Sequence, residues 1–391
     1  MASSRRNIAI LTGTRAEFGI WTPILHALQQ SKILRLQLIV TGMHLQPQFG
    51  YTIRDVEASG IPIEAVVDMY RPDDLPAASL GRAVTRLGAE LAALQPDLLL
   101  LLGDRLEMLA AANAALTSHI PIAHLHGGET APGTWDEQIR HALTKLAHLH
   151  FPATKRAAQR IQQMGEDPRT IHTIGAPALD TLQRFLAGAM PCGAGAPLGM
   201  PVALSLLKKN ALLLLHPSSP NDDLEQTRTS LLLRALRAAN IPFTAIGPNN
   251  DPGHAGILRA YKEMGLERSV VMSLSQPNFW QLLTHASLLI GNSSAGIIEA
   301  ASFALPVINL GDRQKGRQRN PNVLDIPWSA GKKGIQSAIH FALTNKPFRK
   351  KIAQRKNLYG DGHAAERLVR ILEGLPYPIP TAKSFHDLPS R

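Results

Sequence analysis

The stretch Asp97-Leu98-Leu99-Leu100-Leu101-Leu102-Gly103-Asp104-Arg105 decides the fold class. Five consecutive leucines make a run of strand length, and a strand without polar alternation must be buried on both faces, as the strands of a parallel sheet are. Gly103 ends the run and delivers an acid and a base to the strand mouth. Apolar runs of the same kind recur at residues 7–14, 34–41, 65–68, 121–126 and 148–152, with helical stretches between them, such as 19–30, 80–94 and 105–118. This alternation predicts βαβ units around a parallel sheet. Residues 186–201 (LAGAMPCGAGAPLGMP) break the pattern, because Gly, Ala and Pro dominate and no periodicity survives. The alternation then resumes, with strands expected at 211–216, 243–247, 270–273, 288–291, 307–310 and 323–326 and helices at 223–239, 277–285, 295–303, 333–344 and 363–372. The expected architecture is therefore α/β, with two Rossmann-like domains facing a cleft: residues 1–185, a linker at 186–201, and residues 202–374. A proline-rich tail, 375–391, is expected to lie extended or disordered. Ligands of open parallel sheets bind beyond the C-terminal strand edges, so the strand ends are where chemistry is sought.

At 391 residues the chain is long enough for about two domains, and 45% hydrophobic with 18% charged residues excludes wholesale disorder. The single cysteine, Cys192, cannot form an internal disulfide, and no apolar run approaches the roughly 20 residues of a membrane span. A soluble, cytoplasmic protein is expected. The formal charge of +11 is compatible with an anionic partner. The basic residues are scattered, however, and aromatics are only 5%, which argues against a base-stacking nucleic-acid surface. The densest basic stretch, residues 313–319, follows an apolar strand and suits a phosphate-bearing small molecule.

The strand ends carry distinctive residues. After the first comes Thr12-Gly13-Thr14-Arg15-Ala16-Glu17-Phe18-Gly19, where glycine allows close backbone approach and Arg15 can fork onto an anion. It is not a GxGxxG fingerprint, so a nicotinamide cofactor is not indicated. Asp104 and Arg105 follow the leucine run. The next strand delivers His124-Leu125-His126-Gly127-Gly128-Glu129, followed by Trp135-Asp136-Glu137 and then Arg140. Asp104, His126, Glu129, Asp136 and Glu137 would gather several titratable groups, as acid–base chemistry requires. His124, His126 and Glu129 could also ligate a metal, but no HExxH or CxxC spacing supports one. In the second half His216 stands at a strand mouth, a loop at 247–251 could grip a base or ribose through Asn249, and Ile290-Gly291-Asn292-Ser293-Ser294-Ala295-Gly296-Ile297-Ile298-Glu299 suits a diphosphate. Glu299 could accept from ribose hydroxyls, and Arg313, Lys315 and Arg317 add cations.

Together these motifs resemble the UDP-N-acetylglucosamine 2-epimerases, and more closely the hydrolysing branch that makes N-acetylmannosamine-type sugars for sialic and legionaminic acids. GTRAEFG (13–19), GDR (103–105), HGGE (126–129), IRHALTKLAH (139–148), LLHP (214–217), IGNSSAGIIE (290–299), INLGDRQKGR (308–317) and YGDGHA (359–364) occur in the family's order over nearly the whole chain. The resemblance implies a glycosyltransferase-B type fold working without metal or nicotinamide, a UDP-sugar substrate, and a homodimer or dimer of dimers. It implies UDP contacts from Asn249, Glu299, Arg15, His216, Ser293, Ser294 and Arg313, with Arg105 near the sugar or phosphate. Asp104 and Asp136 match acids of the family's catalytic set, and His216 would stabilise the departing phosphate. The animal enzymes carry a glutamate where His126 stands, so either His126 or Glu129 takes the proton-transfer role. The alternatives are a non-hydrolysing epimerase, a UDP-sugar glycosyltransferase of the same fold, and a non-catalytic nucleotide-sugar binder.

Overall fold

In the computed structural model the five leucines form a strand whose side chains alternate between two cores. The structure describes residues 5–130, 135–189, 210–249, 251–267, 270–272 and 274–388. The chain runs β1 (Arg6–Thr12), α1 (Arg15–Gln30), β2 (Leu34–Thr41), α2 (Ile53–Ala58), β3 (Ile63–Val67), α3 (Pro76–Leu94), β4 (Leu98–Leu102), α4 (Leu106–Thr117), β5 (Ile122–Leu125), α5 (Asp136–Leu146), β6 (Leu149–Phe151), α6 (Lys155–Gln163) and α7 (Ala178–Leu186). It continues through β7 (Ala211–Leu214), α8 (Asp222–Ala238), β8 (Phe243–Ile246), α9 (His254–Glu263), β9 (Val270–Val271), α10 (Gln276–His285), β10 (Leu288–Gly291), α11 (Ser294–Ile298), β11 (Val307–Leu310), β12 (Val323–Ile326), α12 (Gly331–Thr344), α13 (Lys346–Ile352) and α14 (Ala364–Gly374). The linker expected at 186–201 lies outside the described residues from 190 onward.

Each half builds one six-stranded parallel sheet, in the orders β3-β2-β1-β4-β5-β6 and β12-β11-β10-β7-β8-β9. The two orders are equivalent when each half is numbered from its own first strand, so both are doubly wound Rossmann sheets. The order reverses between β1 and β4 in one and between β7 and β10 in the other, which is where such sheets open a crevice for ligands. In the first sheet Ile8 of β1 sits opposite Leu36 of β2 and Leu98 of β4. Leu98, Leu100 and Leu102 join one buried cluster while Leu99 and Leu101 join the other. That is why the run tolerates no polar residue.

The chain divides into one unit of Met1–Gln183 with Tyr359–Arg391 and a second of Arg184–Leu358. The boundary expected at 374 is corrected, because the chain returns to the first unit at Tyr359. The apolar face of α14 explains the return: Leu368 and Leu372 are buried with Trp21, Ile24 and Leu25 of α1. Asp180 secures its start by accepting the backbone N–H groups of Ala364 and Ala365 at 2.9 and 2.7 Å, an N-terminal cap supplied from another element.

The described part of the tail, expected to be extended or disordered, packs against the first unit. Arg6 stacks over the Tyr377 ring at 4.0 Å. Lys383 reaches buried Glu166 at 2.6 Å and donates to the carbonyls of Lys145 and Ala147 at the C-terminal end of α5, where a cation complements the helix dipole. Burial opposes the Glu166 charge, yet hydrogen bonds from His150, Lys145 and Lys383 hold its pKa down to about 2. Pro389 lies outside the described residues.

Candidate active site

In the first unit the C-terminal strand edges bring four elements to one place: the β1–α1 turn, the Gly103-Asp104-Arg105 turn after β4, the His126-Gly127-Gly128-Glu129 turn after β5, and the start of α5. Asp104 and His126 are joined through Arg140. This residue lies one turn into α5 and is only 4% exposed. Its guanidinium pairs with the Asp104 carboxylate and donates to the His126 backbone carbonyl at 2.8 Å. His126 itself adopts a left-handed backbone conformation, with φ at 59°, an unfavourable state for a side-chain-bearing residue that concentrates at functional sites.

That backbone turn aims the imidazole. Nδ1 of His126 lies 2.7 Å from Glu129 Oε1, so a neutral ring donates its Nδ1–H to the carboxylate and leaves Nε2 as a base. Nε2 is buried and has no hydrogen-bond partner among the described residues. The sequence left His126 and Glu129 as alternatives; in the structure they form one dyad, with the glutamate orienting the histidine. His124, two residues earlier, is different. Both of its ring nitrogens are engaged, by Gly103 O at 2.8 Å and Thr144 Oγ1 at 3.1 Å, and burial drives its pKa down to about 3. It is a neutral core residue that pins β5 to the Gly103 turn.

Asp136 begins α5 and lines a cavity of about 490 Å³ in the first unit, together with Met43, Tyr70, Arg71, Arg105 and Trp135. Arg105 is therefore presented to this space, and its Nε–H donates to Glu107 Oε1 at 2.7 Å. Arg15 stands apart: it pairs with Asp55 at 3.4 Å, both side chains more than half exposed. Glu137 pairs with His141 one turn along α5.

In the second unit β7, β8, β10 and β11 deliver His216, Asn249, Asn292–Ser294 and Arg313. Asn292 is the clamp. Its Oδ1 accepts the His216 backbone N–H at 2.8 Å and its Nδ2 donates to the His216 carbonyl at 2.8 Å, while Gln314 Nε2 and Arg313 Nη1 donate to its own carbonyl at 2.9 and 3.3 Å. The His216 Nδ1 accepts the Asn249 backbone N–H at 3.1 Å. The ring proton of a neutral imidazole must then sit on Nε2, where it can donate to an anion. Burial first, and the Arg313 charge next, push the His216 pKa down to about 4, so this neutral tautomer holds from about pH 5 upward. Arg313 also pairs with Asp251 at 3.6 Å. Ser293 caps α11, and Ser294 is its first residue. Glu299 ends the same short helix, where its Oε2 accepts the Trp280 indole N–H at 2.5 Å and burial raises its pKa to about 7.

Replacing His216 by alanine is expected to lower kcat/KM for an anionic substrate by about 10- to 100-fold, the scale of one hydrogen bond to a charged group. The loss should be nearly constant from pH 6 to 8, since the imidazole does not titrate there. Steady-state kinetics across that range checks both.

Four participants were not singled out by the sequence. Arg140 was noted as the start of a helix but given no role, Asn292 was seen only within its motif, and Glu17 and Glu107 were passed over. Glu107 had a visible signal, being the only charged residue in the helix LEMLAAANAALT.

Two doubly wound units, one with an acid–base cluster at its strand mouths and the other with an imidazole–amide–guanidinium cradle, define an α/β enzyme of the kind that acts on nucleotide sugars. Residues 26–373 match the model of the UDP-N-acetylglucosamine 2-epimerase family, and the chain belongs to that family. It is 36% identical to the UDP-N,N′-diacetylbacillosamine 2-epimerase (hydrolyzing) of Legionella pneumophila, over 95% of this chain and 96% of that one. It is 34% identical to the GDP/UDP-N,N′-diacetylbacillosamine 2-epimerase (hydrolyzing) of Campylobacter jejuni, over 82% of this chain and 84% of that one. The crystal structure of UDP-GlcNAc 2-epimerase from Neisseria meningitidis bound to UDP-GlcNAc superposes with a TM-score of 0.77 at 17% identity, over 94% of this chain and 99% of that one; this likeness establishes the fold. No helix among the described residues is long and apolar enough to cross a membrane.

Proposed function

We propose that this chain is a hydrolysing UDP-sugar 2-epimerase whose substrate is a UDP-2-acetamido sugar, and that the sugar carries a second acetamido group at C4. The observation that carries the reading is the His126–Glu129 dyad, whose buried Nε2 has no hydrogen-bond partner among the described residues, with the Asp104–Arg140 pair joined to it through the His126 carbonyl. The names of the Legionella and Campylobacter relatives support the 4-acetamido sugar.

The chemistry follows from the groups. A base takes the proton from C2 while the C1–O bond breaks, and the electron pair of the C2–H bond becomes the C1–C2 double bond of a 2-acetamidoglucal. The diphosphate leaves with the C1–O electrons, and the His216 Nε2–H, Arg313 and the Ser293 and Ser294 hydroxyls take up its charge. Water then adds its oxygen to C1, and a proton returns to C2 on the opposite face. The products are the free 2-epimeric sugar and UDP. Elimination and re-addition need two proton-transfer groups on opposite faces of the ring. His126, oriented by Glu129, fills one role, and Asp104 or Asp136 the other. Asn249 and Glu299 contribute to the nucleoside.

On this reading the enzyme works in the cytoplasm as a homo-oligomer, and its product serves sialic- or legionaminic-type acid synthesis. The test is to incubate the protein with UDP-N,N′-diacetylbacillosamine, and separately with UDP-N-acetylglucosamine, in deuterated water and to follow products by proton NMR. Free 4-acetamido sugar with deuterium at C2, plus UDP, is the expected result. Turnover confined to UDP-N-acetylglucosamine would overturn the assignment of the sugar. A UDP-linked epimer would overturn hydrolysis, and product without C2 deuterium would overturn the elimination.

A further inference from the structure

The most unusual group that this chemistry leaves unused is the Glu107 carboxylate. It is fully buried on a helix whose other buried residues are alanine and methionine, and its Oε2 has no hydrogen-bond partner among the described residues. It lies in a cradle of two glycines. A Cβ added at Gly13, in the β1–α1 turn, would meet Glu107 Oε1 at 2.3 Å, and one at Gly42, after β2, would meet the same atom at 3.1 Å. Gly42 also has φ at +64°, so an alanine there would be strained as well as crowded. In dinucleotide-binding Rossmann domains this turn takes the pyrophosphate. Here the chain's own carboxylate occupies it.

A second carboxyl joins it. Glu17, in the first turn of α1, accepts the Gly13 backbone N–H at 2.9 Å through Oε2, and its Oε1 lies 3.9 Å from Arg105 Nε. Two buried carboxyls thus face one guanidinium, which they approach from the Nε side while Arg105 lines the cavity that Asp136 also lines. We propose that Glu107 and Glu17 are a buried positioning pair that fixes Arg105 as the cavity's recognition group for the sugar of the substrate, and that this pair excludes phosphate from the β1–α1 turn. The inference rests on the function proposed above for what Arg105 contacts, but the pair itself does not.

The charges facing the pair explain how one arginine satisfies two acids. Burial, then the Glu107 charge, raise the Glu17 pKa to about 8, against the pull of Arg105 and the Gly13 N–H; Asp104 adds to the rise. Burial opposes the Arg105 charge, and Glu107 and Glu17 more than offset it, so its pKa lies above the usual guanidinium value. The remaining titratable groups here are Tyr70 and His44. Tyr70 is raised to about 12 by burial and by Glu107, and His44 is lowered by burial; neither changes charge between pH 7 and 9. At neutral pH Glu17 is therefore the protonated, neutral carboxyl. Above pH 8 the Glu17 carboxyl ionises beside Arg105 and draws the guanidinium away from the cavity.

The experiment combines Glu107→Gln and Glu17→Gln with two independent readouts. In kinetics, wild-type kcat/KM should fall about tenfold between pH 7 and 9, the behaviour of one group titrating near 8. Glu17→Gln should flatten that limb, and Glu107→Gln should lower kcat/KM about 100-fold at pH 7, the cost of about 1 Å of misplacement. In carbon-13 carboxyl NMR, one glutamate of the substrate-free protein should titrate near pH 8 and vanish in Glu17→Gln, and the Arg105 Nε–H resonance should move in Glu107→Gln. Unaltered kinetics and pH profile in both variants would overturn the proposal, as would the absence of any glutamate titrating between pH 7 and 9. If wild type turns over no UDP-sugar yet the NMR signatures appear, the pair stands and the proposed function falls. Should Glu107→Gln fail to fold, Glu17→Gln alone still decides through its pH limb and its carboxyl signal.

Discussion

Replacing His126 by glutamine is expected to lower kcat by about 10³-fold, within the range for loss of a positioned general acid or base. UDP affinity should stay within about twofold, because the groups proposed to hold the diphosphate belong to the other unit. The reason lies in the dyad. Glutamine fills similar space and can still meet Glu129, but it offers no group that takes a proton at neutral pH. Glu129→Gln tests the orienting role separately. With its amide NH2 toward Nδ1 the ring proton sits on Nε2, which removes the base by changing the tautomer rather than the residue. A loss of about 10- to 100-fold is expected there. The double variant should be little worse than His126→Gln alone, since residues acting as one unit are not additive. Single-turnover measurement of UDP release and of C2 deuterium exchange checks all three variants. Full activity in His126→Gln would remove the dyad from the mechanism.

Asp104→Asn is expected to damage stability as well as rate. Its partner Arg140 is nearly inaccessible to solvent, so neutralising the carboxylate leaves a buried guanidinium without a counter-charge. Breaking such a pair costs about 3 kcal/mol. Arg140→Met should cost less, because it removes the charge together with its need for a partner. Combining it with Asp104→Asn should restore at least half of the stability lost by Asp104→Asn alone. Two units need not unfold together, so the measurement is hydrogen exchange at the amides of β4 and β5 rather than one global transition. If exchange there is unaffected by Asp104→Asn, the Asp104–Arg140 pair carries no structural load. The kinetic loss in Asp104→Asn should persist in the double variant, which separates the chemical role from the structural one.

Much of this protein was legible in the amino-acid order, and for local reasons. Leu98–Leu102 can only be a strand covered on both faces, and similar runs announced both parallel sheets before any contact was known. The strand-end rule then pointed to Asp104, His126, His216, Ser293 and Ser294, because in a doubly wound sheet the residues after each strand are carried to the crevice whatever the helices do. Motif order pointed to the family for the same reason: each motif sits at a strand end, where chemistry constrains residue type.

What the order of residues left open were matters of distance across the chain. His126 or Glu129 was a choice between two acids or bases until the left-handed turn at His126 put Nδ1 within 2.7 Å of the carboxylate, making them one device. Arg140 looked like an ordinary helix cation, and only its burial against the Asp104 turn shows its charge to be committed. The strand–helix alternation runs on through the helix at 363–372, so the second domain reads as ending at 374; periodicity states that a helix face must be buried without naming the unit that buries it. Asp180 and the α1 core decide that. Glu107 shows the limit most plainly. One acid in an alanine-rich helix says that something unusual is held there, but only the fold brings Gly13, Gly42, Glu17 and Arg105 around it, from segments up to 94 residues apart. The sequence by itself determined which faces must be buried and which residues stand at strand mouths, since those are set by spacing along one chain. The tertiary structure alone decided which charges share a partner, because desolvation and Coulomb energies depend on separations in space that no local pattern encodes.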